Sequence, residues 1–180
     1  MSRLLLSLHS LSSRIHRVLY NLTMDELDGR LLVLLDAEPR IGVLECSRRL
    51  GVARGTVQAR LDRLVAGGVI RSFGPQLDPA ALGFSVTAFV TLEIRQGRGH
   101  AAVAADLAGV PEVLEAYTIT GSGDMFCRLV ARSNADLQRV IDAVLEVPGI
   151  VRTSTVIALA TQVQYRVLPL VDAAVTTKAD

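Results

Sequence analysis

Residues 48–64 read RRLGVARGTVQARLDRL. One helix must end inside this stretch and another begin. Leu44 and Leu50 point inward from a short first segment, about Val43–Leu50, and Gly51 supplies the permissive backbone of a tight turn. Val57, Leu61 and Leu64 then recur at i, i+4 and i+7, which is one face of a further helix over about Arg54–Ala66. Gly67-Gly68 stops it. Upstream, Leu27, Leu31, Leu34 and Leu35 mark a preceding helix. Thr23 or Asp25 can cap it, Glu26 lies near the positive end of its dipole, and Pro39 ends it. Two short helices joined by a glycine turn, behind a third, form a helix-turn-helix. Val69–Phe73 and Gln76-Leu77, parted by Gly74-Pro75, read as a small β-wing, so residues 23–77 are expected to form a winged helix-turn-helix.

With Val57, Leu61 and Leu64 buried, that last helix presents Arg54, Gly55, Thr56, Gln58, Ala59, Arg60 and Arg63 outward. The first residues of such a helix point at base edges in the major groove. Arginine can bond a guanine edge twice and glutamine an adenine edge twice, which favours Arg54 and Gln58, with Thr56 beside them. Arg48, Arg49 and Arg71 flank the helix and suit phosphates, which fix register without reading sequence. Arg60 serves DNA or structure equally well. Arg63 serves DNA, or pairs with Asp62 or an acid of the first helix.

Charge follows the same division. The whole chain has a formal net charge of +1. Residues 40–77, however, hold seven arginines against Glu45 and Asp62, whereas residues 79–180 hold eight basic and ten acidic groups. A local basic field attracts a polyanion whatever the total, although a solvated arginine-rich face explains the count as well. Half the 180 residues are hydrophobic, which excludes a disordered chain, and no apolar run approaches the ~20 residues of a membrane span. Cys46 and Cys127 lack partners at metal-ligand spacing, so neither a zinc site nor a disulfide scaffold is expected. No metal or cofactor is called for. Residues 1–22, with Arg3, Arg14 and Arg17, are expected to be a mobile extension or to precede a true start at Met24.

Beyond a linker at 78–83 the periodicity changes. Phe84, Val86, Ala88, Val90, Leu92 and Ile94 alternate with polar residues, a strand pattern, and Phe89 stands on the otherwise polar face. A short helix at 101–108 follows. Next come strands within 110–120 and at 125–131, joined by Gly121-Ser122-Gly123-Asp124. A helix capped by Ser133 or Asn134 is ended by Pro148-Gly149, and a strand over about 150–160 closes the unit. The order βαββαβ is ferredoxin-like. The fold class expected is therefore α+β, with an N-terminal winged helix-turn-helix and a C-terminal ferredoxin-like βαββαβ domain at 84–165, followed by a tail at 166–180. Phe89 suggests that the open face of the sheet packs on something else, a second copy of the sheet being one candidate; a singly exposed apolar residue is the plain alternative.

The stretch Leu27-Asp28 … Arg40 … Arg48–Leu64 … Gly68-Val69-Ile70 … Leu77-Asp78-Pro79 … Leu82-Gly83 resembles the N-terminal half of the Lrp/AsnC (leucine-responsive/asparagine-responsive) transcriptional regulators. Pro111-Glu112-Val113, Tyr117–Asp124, Pro148-Gly149-Ile150 and Arg152–Thr155 resemble that family's effector-binding domain. Departures are Ala53 where the family usually has a serine cap, Cys46-Ser47 where it usually has leucine-alanine, and Gly123 where a bulkier or polar residue is commoner. The resemblance implies a regulator of cytoplasmic, nucleoid-associated location that binds double-stranded DNA and assembles as dimers and then octamers or higher. It also implies a small effector, an amino acid or relative, near the glycine turn and the last strand. The candidate effector residues are Tyr117, Gly121, Ser122, Gly123, Asp124, Thr153 and Thr155. Gly121 and Gly123 can offer N–H groups to a carboxylate, Asp124 can accept from an ammonium, and Thr153 and Thr155 carry hydroxyls. The same Gly-Ser-Gly-Asp is also an ordinary hairpin turn.

Two other functions stay open at this level. Some proteins of similar architecture are tetrapyrrole (siroheme-type) decarboxylases, but His9, His16 and His100 form no evident catalytic set, so no enzyme is expected. A partner that modulates other regulators by mixed oligomerisation, without binding DNA itself, is the third class.

Overall fold

A computed structural model describes residues 23–176. The expectations for residues 1–22 lie outside them. The elements run α1 (Glu26–Ala37), α2 (Val43–Leu50), α3 (Arg54–Ala66), β1 (Val86–Ile94), α4 (His100–Leu107), β2 (Val113–Thr118), β3 (Met125–Ala131), α5 (Asn134–Leu145), β4 (Ile150–Ile157) and α6 (Pro169–Thr176). No helix among the described residues is long and apolar enough to cross a membrane. The chain divides into two units, residues 76–164 forming one and the flanking stretches the other.

The helical unit is built on α1, α2 and α3. Asp25 caps α1 through a capping box: its side chain accepts from the Asp28 N–H and the Asp28 carboxylate accepts from the Asp25 N–H, both at 3.0 Å. Gly51 closes α2 in the left-handed region at φ 70°, where glycine carries no steric cost. Leu31, Cys46, Leu50, Val57, Leu61 and Leu64 fill the core between the helices. α6 belongs to this unit as well. Val171 is buried in the same core, and Gly29 of α1 lies beneath α6, with room for a Cβ only at 3.1 Å from Val175 Cγ2. Residues 169–176, read from sequence as part of a tail, are thus the last helix of the helix-turn-helix unit.

The expected β-wing does not form: residues 69–77 contain no strand. Pro75 has no N–H to give a ladder, and Ser72 Oγ accepts from the Gly74 N–H at 2.9 Å in a local turn.

The other unit is an antiparallel four-stranded sheet of order β2-β3-β1-β4, with α4 and α5 supplied by the two crossovers. Ala88, Val90 and Leu92 face the helices and are fully buried with Val103, Leu107, Leu129, Val140 and Val144. The alternate residues of β1 lie on the opposite, helix-free face. There Phe89 stacks on Phe126 with ring centroids 5.6 Å apart, and Val156 of β4 pairs with Phe89 in register. The exposed phenylalanine of the sequence therefore has a partner within its own sheet.

Candidate functional site

The surface of α3 begins at Ala53, the N-cap, whose side chain makes no capping bond; the Thr56 and Val57 N–H groups donate to its carbonyl instead. Arg54, Thr56 and Gln58 are exposed in the first turns. Arg54 takes part in none of the ion pairs among the described residues, and no acid lies in the first turn of α3. Gln58 Nε2 donates to Asp62 Oδ1 at 2.8 Å, so it is held at the surface one turn from Arg54. Arg48 is 69% exposed in its side chain with Glu45 at 3.5 Å, and Arg71 is exposed.

Three of the sequence-predicted arginines are otherwise engaged. Arg49 Nη1 donates to Glu38 Oε1 at 2.5 Å and its Nε to Glu45 Oε1 at 3.3 Å. Those two carboxylates push its pKa up further, Glu38 the more strongly. Arg60 Nη1 donates to both oxygens of Asp25, at 2.7 and 2.8 Å, and to Asp28 Oδ1 at 2.8 Å. Hydrogen bonding from Arg60 holds the Asp25 carboxyl below the ordinary range. Arg63 Nη2 donates to Asp28 Oδ2 at 2.5 Å. Asp28 itself is 0% exposed, the only fully buried carboxylate among the described residues. Of the two partners that the sequence left open for Arg63, the one occupied is the acid of α1.

In the sheet unit, the glycine turn is drawn tightly onto β1. The Asp124 N–H donates to the Leu92 carbonyl at 2.8 Å, and Asp124 Oδ2 accepts from the Ile94 N–H at 2.6 Å. Ile94 is where β1 slips register against β4, so this carboxylate satisfies a backbone donor at the irregularity. Gly123, at φ 109°, lies so close to β1 that a Cβ would stand 2.3 Å from Thr91 Cγ2.

Beside this turn is a cleft of about 230 Å³ lined by Thr91, Glu93, Ser122, Gly123, Arg152, Thr153 and Ser154. Glu93 and Arg152 face one another across β1 and β4 at 3.9 Å. The sequence-predicted set is thus divided. Ser122, Gly123 and Thr153 line the cleft, whereas Tyr117, Gly121, Asp124 and Thr155 do not. Thr155 pairs with Val90 and Thr153 with Leu92, whose side chains are on the helix-covered face. Ser154, one residue between them, pairs with Thr91 on the open face. Thr91, Glu93, Arg152 and Ser154 are not in the sequence-predicted set. Their signal is the period-two alternation, which sends Arg152 and Ser154 to one face together, but only the strand register shows which face that is.

Both thiols are buried, and burial raises their pKa, that of Cys127 to about 11. No group of three or more His, Cys, Asp or Glu side chains that could hold a metal occurs among the described residues.

Comparison with known proteins divides the chain at the same place. Residues 24–65 match the AsnC-type helix-turn-helix domain, and residues 87–168 match the Lrp/AsnC ligand binding domain. The chain is 32% identical to the HTH-type transcriptional regulator FL11 of Pyrococcus horikoshii over 82% of its own length and 97% of that protein's. Among solved structures it is similar to Escherichia coli AsnC, with a TM-score of 0.74 and 27% identity over 81% of this chain and 99% of that one. It is also similar to a feast or famine regulatory protein from M. tuberculosis complexed with L-methionine. That match has a TM-score of 0.70 and 25% identity, covering 79% and 96% of the two chains.

Proposed function

The chain belongs to the Lrp/AsnC family of transcriptional regulators, and from that premise we propose how its parts divide the work. The DNA-reading residues are Arg54, Thr56 and Gln58 at the start of α3, with Arg48 and Arg71 on flanking phosphates. One observation carries this reading: the first turn of α3 presents an exposed arginine with no acid beside it, next to the unbranched surface of Gly55. Arg49, Arg60 and Arg63 belong instead to the frame of the helical unit, since each bonds a carboxylate outside its own helix. Arg54→Ala should lose about 1–3 kcal/mol of discrimination at one base position. Fluorescence anisotropy on a duplex selected from a random pool, against a scrambled duplex, checks this. Equal relative affinity before and after the substitution would reassign Arg54.

The effector is an amino acid or close relative held in the cleft beside Gly123. Glu93 and Arg152 offer opposite charges within one small cleft, which suits a zwitterion, and a structural neighbour was solved with L-methionine. A thermal-shift series over the free amino acids tests it, because a ligand of the native state raises the melting temperature with concentration. The ligand that does so in the native protein should lose its effect in Arg152→Ala; a retained shift would move the site elsewhere.

Assembly occurs through the helix-free face of the sheet, and the effector acts by favouring one arrangement of the assembled copies over another, which requires different affinities for the two. The protein is a regulator of the chromosome, acting in the cytoplasm, rather than an enzyme. The relatives it matches are named as regulators, which supports this reading over tetrapyrrole decarboxylation.

A further inference from the structure

Two arginines on the flank of α3 carry charge that any DNA would attract, and both are turned back onto α1. The group that holds them is Asp28. Its side chain is fully buried, yet it meets three donors: Arg60 Nη1 at 2.8 Å, Arg63 Nη2 at 2.5 Å and the Asp25 N–H at 3.0 Å. Asp25 adds a second carboxylate on Arg60, and the Thr23 carbonyl accepts from Arg63 Nη1 at 3.4 Å. The capping box that starts α1 is therefore also the acceptor set that receives α3.

A buried carboxylate without partners is costly, so the two guanidiniums and Asp28 hold each other in place. This fixes the rotation of α3 at two points one turn apart, Arg60 and Arg63. Arg54, Thr56 and Gln58, in the turns that precede them, carry no such bond to α1 and face solvent, while Val57 turns into the core. The arrangement separates a helix into a clamped part and a presented part.

We propose that Asp28 is a positioning residue for DNA reading: by binding Arg60 and Arg63 it sets the orientation of α3 and withholds two cations from the phosphate backbone. The inference rests on the assignment of Arg54, Thr56 and Gln58 as the DNA-reading residues. Its effect is on specificity. An arginine released from Asp28 binds phosphates on every sequence alike, which strengthens the sequence-blind part of binding, while an unclamped helix loses its register on bases.

The test uses the full chain, a duplex enriched by that chain from a random-sequence pool, and a scrambled duplex of equal composition. Anisotropy titrations at several salt concentrations give the slope of log affinity on log salt, which steepens by about 0.9 for each further phosphate the protein neutralises. For Asp28→Asn the slope on both duplexes should steepen by about 0.9 for each arginine freed. The preference for the enriched duplex should fall several-fold. Loss of affinity on both duplexes with slope and preference unchanged would leave Asp28 a purely structural residue and overturn the proposal. Arg63→Gln, at a position whose side chain is 41% exposed, gives an independent reading that does not depend on the folding of the Asp28 variant. In the native background it should leave the slope unchanged, and a slope shallower by about 0.9 would place Arg63 on a phosphate and overturn the proposal. Failure of the chain to enrich any duplex would instead remove the DNA-reading assignment on which the inference stands.

Discussion

Gly123 is the residue at which the sheet unit tolerates least. Its φ of 109° disfavours any side chain, and Thr91 Cγ2 occupies the space a Cβ would need. Gly123→Ala should destabilise the unit by about 1–3 kcal/mol, with part of the loss recovered by Thr91→Ser, which removes the opposing methyl. Urea denaturation of the single and double variants measures both. Asp25 behaves differently. Its folded pKa is depressed, chiefly by the hydrogen bond from Arg60, so its contribution to stability is fully present above the unfolded carboxylate value near 3.9. That contribution is lost as pH falls through the lower folded value. The melting-temperature gap between the native chain and Asp25→Asn should therefore be constant from pH 5 to 7 and should narrow below about pH 4. A gap that widens on acidification would contradict the sign of the shift.

Among the elements, α3 begins without a side-chain cap. Its N-cap is Ala53, without the side-chain oxygen that usually accepts an orphan N–H. Ala53→Ser should stabilise the helical unit by about 1 kcal/mol, read as a higher urea midpoint at unchanged slope. The helices and strands themselves were legible in the sequence, because Val57, Leu61 and Leu64 keep a helical period and Ala88, Val90 and Leu92 a strand period. Elements whose order depends on residues distant in sequence were not. α6 is a helix of 8 residues whose order comes from packing Val171 and Val175 over Gly29, 142 and 146 residues away along the chain, and no local pattern announces such a seat. The wing fails for a local reason, the Gly74-Pro75 step, which interrupts a ladder instead of turning it. Candidate site residues divide along the same line. Arg54 and Gln58 follow from helical spacing alone. The partners of Arg49, Arg60 and Arg63, and the face on which Thr155 lies, depend on which segments meet in three dimensions.

At the scale of the molecule, the helix-free side of the sheet is the face proposed for assembly. Val156 is 60% exposed there beside the stacked Phe89 and Phe126. Val156→Arg should convert an assembly into monomers at micromolar concentration, seen by light scattering coupled to size exclusion; a native chain that already runs as a monomer would refute the proposed role of this face. The two units also differ in how the chain visits them. Residues 76–164 are a guest within a host, whose two pieces come from either side of it in the sequence. Ribosomes deliver a protein from its amino terminus, so the sensing guest is complete before the host receives α6 and buries Val171. A nascent chain thus finishes its ligand-binding part first, and acquires the whole of its DNA-reading part only as translation reaches α6.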